Sequence, residues 1–111
     1  MGKQVFEGIR VLDFSNNVAG PCWASLLADQ GAEVIKIERP VAGDDSRGIM
    51  PRVEGKSLTF MWTNRGKHSV ELDLHDPEAQ DIIKRMILDA DVIVESFKPG
   101  QMKKFGLDYE T

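Results

Sequence analysis

Ile9-Arg10-Val11-Leu12-Asp13-Phe14, running at once into Ser15-Asn16-Asn17-Val18-Ala19-Gly20-Pro21, is the stretch that decides the fold. The first segment is apolar enough to be a central strand of a parallel sheet, buried on both faces. The second is a turn ending in a proline, which suits a first helical residue because its missing N–H costs nothing there. Strand, turn and helix follow one another here as they do at the opening of nucleotide-binding α/β domains.

The alternation continues outward from that unit. The helix beginning at Pro21 is expected to bury Trp23, Leu26 and Leu27 on one face and to close at Gly31, a residue suited to a left-handed cap. Ala32 to Ile37 reads as a second strand, stopped by Glu38-Arg39-Pro40. From Val41 to Lys56 the glycines, prolines and paired Asp44-Asp45 read as one long loop. Ser57 caps a short helix through Trp62, and Val70-Glu71-Leu72-Asp73-Leu74 alternates as a strand near a sheet edge does. Asp76-Pro77-Glu78 is a helix start, with a capping carboxylate and an acid facing the helix dipole. Ala79, Ile82, Ile83, Met86, Ile87 and Ala90 make its apolar stripe. Asp91-Val92-Ile93-Val94-Glu95 is a fourth strand, and Ser96 to Gly100 leads to a last helical turn ending near Gly106. Strands alternating with crossover helices give an α/β, Rossmann-like parallel sheet.

Composition narrows the function classes. The chain has 111 residues, 41% hydrophobic and 29% charged, which suits one globular domain. A formal net charge of −4 disfavours nucleic acid as a partner, since such binders carry a basic face. Cys22 is the only cysteine, so neither a disulfide framework nor a CxxC metal site is available, and it is expected as a small buried hydrophobe. No stretch has the length or hydropathy of a signal peptide or membrane span, and a cytoplasmic location is the expectation. His68 and His75 lack the partner spacing of a metal site. Trp23 and Trp62 read as packing residues, Asp44 and Asp45 as turn formers, and Asp13 as a brace for the turn after it. Ser15 and Ser25 have no nucleophile elbow.

Ligands of open parallel sheets bind outside the carboxyl ends of the strands. Three turns fall there: Ser15 to Pro21, Glu38 to Pro40, and Ser96 to Gly100. The first contains Gly20 alone, not G-x-G-x-x-G, and there is no G-x-x-x-x-G-K-[ST] loop, so NAD and ATP chemistry are disfavoured. Asn16, Asn17 and Val18 offer amide and backbone groups to an extended ligand. Arg39, directly after the second strand, suits a phosphate, and Lys98, Lys103 and Lys104 add cationic reach. Taken singly, each of these charges reads first as an ordinary solvated surface group; cationic groups at two strand ends together shift the balance toward a ligand.

These blocks closely resemble the N-terminal region of the class III coenzyme A-transferases, a family that includes 2-methylacyl-CoA racemases. The matching stretches are Gly8 to Phe14, Ala19-Gly20-Pro21, Leu27 to Pro40, Gly43 to Gly48, Asn64 to Ser69, Leu72-Asp73-Leu74 and Ala90 to Gly100. The resemblance implies the N-terminal portion of that family's large domain, with residues 1–111 as the CoA-binding α/β part. It implies a coenzyme A thioester as substrate, with no prosthetic group and no metal. The implied contacts are Asn17, Val18, Ala19, Arg39, Leu72, His75, Ser96, Phe97, Lys104 and Phe105, with Arg39 at the adenosine phosphates and Phe97 along the adenine or pantetheine path. Ser96 stands where asparagine is commoner, His75 where lysine is frequent, and Lys104 where arginine is frequent.

In the family's transferases an aspartate attacks the acyl-CoA thioester, forms a mixed anhydride and passes CoA to a second carboxylate. The resemblance places that aspartate, the racemases' proton-transfer groups and a small domain beyond Thr111, so no catalytic residue is assigned within the chain. It also implies an interlocked homodimer, or a second chain that completes the fold. Truncation or proteolysis, one piece of a two-chain protein, and a free-standing remnant all fit this length, with the first expected. The resulting functions are an acyl-CoA:carboxylate CoA-transferase portion, a racemase-type enzyme, or a non-catalytic CoA-binding or assembly module.

Overall fold

The computed structural model describes residues 2–111. β1 (Arg10–Asp13) leads through the Ser15 turn into α1 (Ala19–Asp29), and β2 (Glu33–Glu38) follows. Residues 41–56, expected as an unbroken loop, hold a 3-10 turn at Asp45–Gly48 and a small hairpin of β3 (Arg52–Val53) and β4 (Lys56–Ser57). The hairpin closes on Glu54-Gly55, both at positive φ, which is the geometry that fits the right-handed twist of paired strands. α2 (Leu58–Thr63), β5 (Lys67–Glu71), α3 (Pro77–Leu88), β6 (Val92–Val94) and α4 (Gln101–Lys104) complete the order.

The main sheet runs β5-β2-β1-β6, with every pair parallel. β1 is central, as its apolar run requires, and β5 is an edge. The chain reverses direction across the sheet between β1 and β6, the switch point where a crevice opens beyond the strand ends.

Strand periodicity divides the core in two. Leu12 and Ile37 face one side and pack with Phe14, Ile83, Phe105 and Leu107 beneath α3 and α4. Val11 and Val34 face the other and pack with Ala24, Ala32 and Val94 beneath α1. Full burial of Leu12 or Ile83 contributes ~1.5–3 kcal/mol each.

Three expectations change. α1 begins at Ala19 and buries Pro21, Ala24 and Ser25, leaving Trp23 49% and Leu26 47% exposed. At its first turn the helix lies tight against the turn after β1: a Cβ on Gly20 would lie 2.3 Å from the Ser15 Cβ. Cys22 is half-buried and Trp62 is 57% exposed, so neither is a core residue among those described. β5 starts at Lys67, ahead of the alternating run, because Lys67 to Glu71 pair in register with Val34 to Glu38. Leu72 and Leu74 lie past its end and drop into the α3 core.

α3 starts as its sequence demands, with the Asp76 carboxylate accepting the Glu78 N–H at 2.9 Å. Of its apolar stripe, Ala79 and Ile83 are buried while Ile82 faces outward.

Candidate functional site

A cleft of about 660 Å³ opens at the carboxyl ends of the strands. The turn Phe14 to Gly20 after β1 lines it, as do Lys36 to Arg39 with Gly43 and Asp44 from β2 and its loop. Asp73 to His75 after β5, Ser96 to Lys98 after β6, and Phe105 complete the wall. All three turns that sequence placed at strand ends thus meet at one cavity, of a size typical for small-molecule sites.

Of the ten candidate contacts, Asn17, Val18, Ala19, Arg39, His75, Ser96, Phe97 and Phe105 line this cleft. Leu72 and Lys104 do not. Leu72 is partly buried against the α3 core, and Lys104 closes the last turn of α4. Of the three lysines after β6, Lys98 alone is in the lining.

Polar atoms tie the β1 and β6 turns together, the Asn16 N–H donating to Ser96 Oγ at 3.1 Å. Asn17 is left-handed at φ 69°, a conformation asparagine tolerates better than most residues. No side chain caps α1 and no acid occupies its first turn, so its positive end faces the cleft through Val18 and Ala19. Opposite, the Phe105 ring stands edge-on to His75 at 5.2 Å and to Phe97 at 5.8 Å, an aromatic wall.

Beneath the turn lies a buried ionic network that sequence reading touched only in part. Asp13 and Lys36 are register partners on neighbouring strands, on the α1 face, and both are buried. The Lys36 ammonium lies 2.7 Å from Asp44 Oδ2, which has no other polar partner, and 3.8 Å from Asp13 Oδ2; it donates to the Ser15 carbonyl at 3.0 Å. Lys67 Nζ donates to Asp13 at 2.6 Å, to the Pro21 carbonyl at 2.9 Å and to Asn64 Oδ1 at 2.9 Å. Two cations and two carboxylates therefore neutralise one another, and hydrogen bonds satisfy what remains. Burial pushes the Lys67 ammonium pKa down, with Asp13 opposing.

Asp13 braces the turn as expected: its Oδ1 accepts the Ser15 N–H at 2.9 Å and also the Ser15 hydroxyl. Asp44 shapes its own loop, its Oδ1 accepting the Ser46 N–H and hydroxyl, each at 2.8 Å, and the Asn17 N–H at 3.0 Å. Burial disfavours the Asp44 charge, but Lys36 and the Ser46 bonds outweigh it and hold the carboxyl below its usual range.

Glu38 is the second anchor. Arg47 grips it through two bonds of 2.8 and 2.7 Å, the Asp44 N–H donates at 2.9 Å and Ser69 Oγ at 2.8 Å. Burial opposes its ionisation, yet these donors prevail and lower the carboxyl to about 2. Arg47 also lies 3.9 Å over the Phe60 ring. The sequence signal was a lysine and a glutamate at alternate positions of a strand as apolar as Val34 to Ile37, since buried charges must find partners.

Most acids at or near the cleft are engaged by cationic or amide donors. Asp13, Glu38 and Asp44 are held by lysine, arginine and amide donors, Asp45 by Arg39 and Asn16, and Asp73 by His75. Asp73, in the cleft wall, is bonded through Oδ1 alone, to the His75 N–H and ring, and its side chain is about half exposed. Among the described residues no His, Cys, Asp and Glu grouping could hold a metal ion, and no helix is long and apolar enough to cross a membrane.

Comparison with known proteins agrees with this architecture. The chain is 41% identical to the succinate–glutarate CoA-transferase of Agrobacterium fabrum, an alignment that takes in 98% of the chain and 29% of that relative. It is 43% identical to the acetyl-CoA:oxalate CoA-transferase of Acetobacter aceti, over 97% of the chain and 28% of that enzyme. The crystal structure of the hypothetical protein Rv3272 from Mycobacterium tuberculosis superposes with a TM-score of 0.90 at 43% identity, over 99% of this chain and 30% of that one. The chain thus spans a little under a third of the length of these relatives. Residues 6–111 match the family described as CoA-transferase family III, and the chain belongs to that family.

Proposed function

We propose that this chain is the CoA-binding part of an enzyme that transfers CoA between a carboxylic acid and a CoA thioester. The observation that carries the reading is the convergence of Asn17, Val18, Ala19, Arg39, His75, Ser96, Phe97 and Phe105 on one cleft at the sheet's switch point. The uncapped start of α1 and the Arg39 guanidinium suit phosphates, and the wall of Phe97 and Phe105 suits an adenine ring or a pantetheine arm. Glu38 and Asp44 in the cleft wall are engaged by Arg47 and Lys36, which fits a nucleophilic aspartate carried on other polypeptide.

The relatives' names make succinate, glutarate and oxalate the first acids to try. The reading extends to an interlocked homodimer, or a complex of two different chains, working in the cytoplasm. Light scattering on the purified protein checks the assembly.

Calorimetric titration of the purified protein with CoA tests the central claim, with saturable binding expected. Absence of heat at millimolar CoA would overturn it. Transfer of CoA from a thioester to a second acid, without deuterium exchange at the α-carbon, separates this reading from racemisation.

A further inference from the structure

The guanidinium best placed for a phosphate is already holding an anion. Arg39 Nε donates to the Gly43 carbonyl at 2.9 Å, and its Nη2 is paired with Asp45 Oδ1. The other Asp45 oxygen accepts from Asn16 Nδ2 at 2.6 Å, while the Asp45 N–H donates to Asn16 Oδ1 at 2.8 Å. Asn16 and Arg39 both line the cleft, one from the turn after β1 and one from the end of β2. A single carboxylate therefore sits where donors from two strand ends converge, which is how a ligand's anionic group would be bound.

We propose that Asp45 is an internal stand-in for a ligand phosphate, occupying Arg39 and Asn16 in the free protein and yielding them when CoA binds. The proposal rests on the CoA reading above. The neighbouring acid behaves differently. Asp44 is buried against Lys36 and capped by Ser46 and Asn17, so it is fixed. The Arg39–Asp45 pair is open to water, with side chains 58% and 46% exposed, and such a pair separates at little cost. The Asp45 backbone N–H, not its carboxylate, donates to the Asn16 side-chain Oδ1, so that bond can persist while the carboxylate swings away. A phosphate brings more charge and more acceptor oxygens to the same donors than one carboxylate does. Asp45 is thus a determinant of affinity: it lowers binding of phosphorylated ligands and shields an otherwise free arginine.

The test is titration of CoA and of its phosphate-free fragment pantetheine into wild type, Asp45→Asn and Arg39→Gln. Asparagine at 45 keeps an oxygen near Asn16 but removes the competing charge. CoA binding should tighten roughly three- to tenfold, with pantetheine unchanged, as expected for release of one exposed ion pair plus one repulsion. In an Arg39→Gln background most of that gain should vanish. CoA affinity equal to or below wild type in Asp45→Asn would overturn the proposal, as would an equal gain for pantetheine. Loss of CoA affinity in Arg39→Gln belongs to the parent reading. If that loss is absent, the parent reading fails; if it is present without a gain in Asp45→Asn, only the stand-in role fails. Thermal unfolding checks that each variant is folded, and Asp45→Ser gives the same readout should Asp45→Asn not be.

Discussion

Replacing Glu38 by glutamine asks whether the loop under the cleft is held by an ion. The Glu38 carboxyl falls from its ordinary 4.5 to about 2 on folding, through Arg47, the Asp44 N–H and Ser69 acting against burial. That displacement is worth at most ~3.4 kcal/mol at roughly 1.4 kcal/mol per pH unit. Arg47 is 45% exposed, so water screens part of the attraction. About 2 kcal/mol is the expected share. The sign follows from the direction of the displacement. A carboxyl whose folded value lies below its unfolded one adds stability that is complete above about pH 4.5 and drains away as pH falls toward 2. Urea unfolding of wild type and Glu38→Gln, near neutrality and at about pH 3, reads the effect. Wild type should lead near neutrality by about 2 kcal/mol, or roughly 10 °C in midpoint for a chain this size. At about pH 3 more than half of that lead should be gone, because the wild-type carboxylate is then being protonated in the unfolded state while glutamine does not titrate. An equal lead at both pH values would refute the reasoning, since a pH-independent difference is packing, not charge.

Other outcomes follow from the same network. Lys36→Met leaves Asp13 and Asp44 without their shared buried cation and should cost about 3–5 kcal/mol in urea unfolding, with part recovered by adding Asp44→Asn. Gly43→Ala sets a Cβ 2.3 Å from Glu38 Oε2 and 2.9 Å from Arg47 Nε at φ 64°, and should cost at least ~2 kcal/mol. Gly55→Ala, at φ 77° but in open space, should cost only ~1 kcal/mol by the same measurement. Glu54→Asn should raise the thermal midpoint by the equivalent of ~0.5 kcal/mol, because asparagine accepts the positive φ of a two-residue hairpin turn better than glutamate.

The fold was legible wherever a local rule governs it. β1 and β2 show as apolar runs, and α3 as a stripe behind Asp76-Pro77. The turn at Ser15 shows as a break between two periods. Reading failed where partners are distant. Trp23 and Leu26 looked like a helix face for the core, yet Ala24 and Ser25 are chosen because small residues let α1 approach the sheet. β5 was placed past its true start because Lys67, His68 and Ser69 carry no strand pattern of their own; pairing with β2 recruits them. The hairpin at Glu54-Gly55 was hidden in a polar stretch, since its strands are too short to alternate.

The candidate site divides in the same way. Residue types and order along the chain determined which turns lie at strand ends, and hence that Asn17, Arg39 and Phe97 belong on one rim. That much follows from parallel pairing alone, which puts every carboxyl end on the same side. Only the tertiary structure decided that Lys36, Asp13, Asp44 and Lys67 form one neutral buried cluster, and that Asp45 reaches both Arg39 and Asn16. Asp13 meets Lys36 and Lys67, and Asn16 meets Asp45, across long stretches of sequence, and even for nearer pairs a charge has no preferred partner until packing brings one within reach and excludes water.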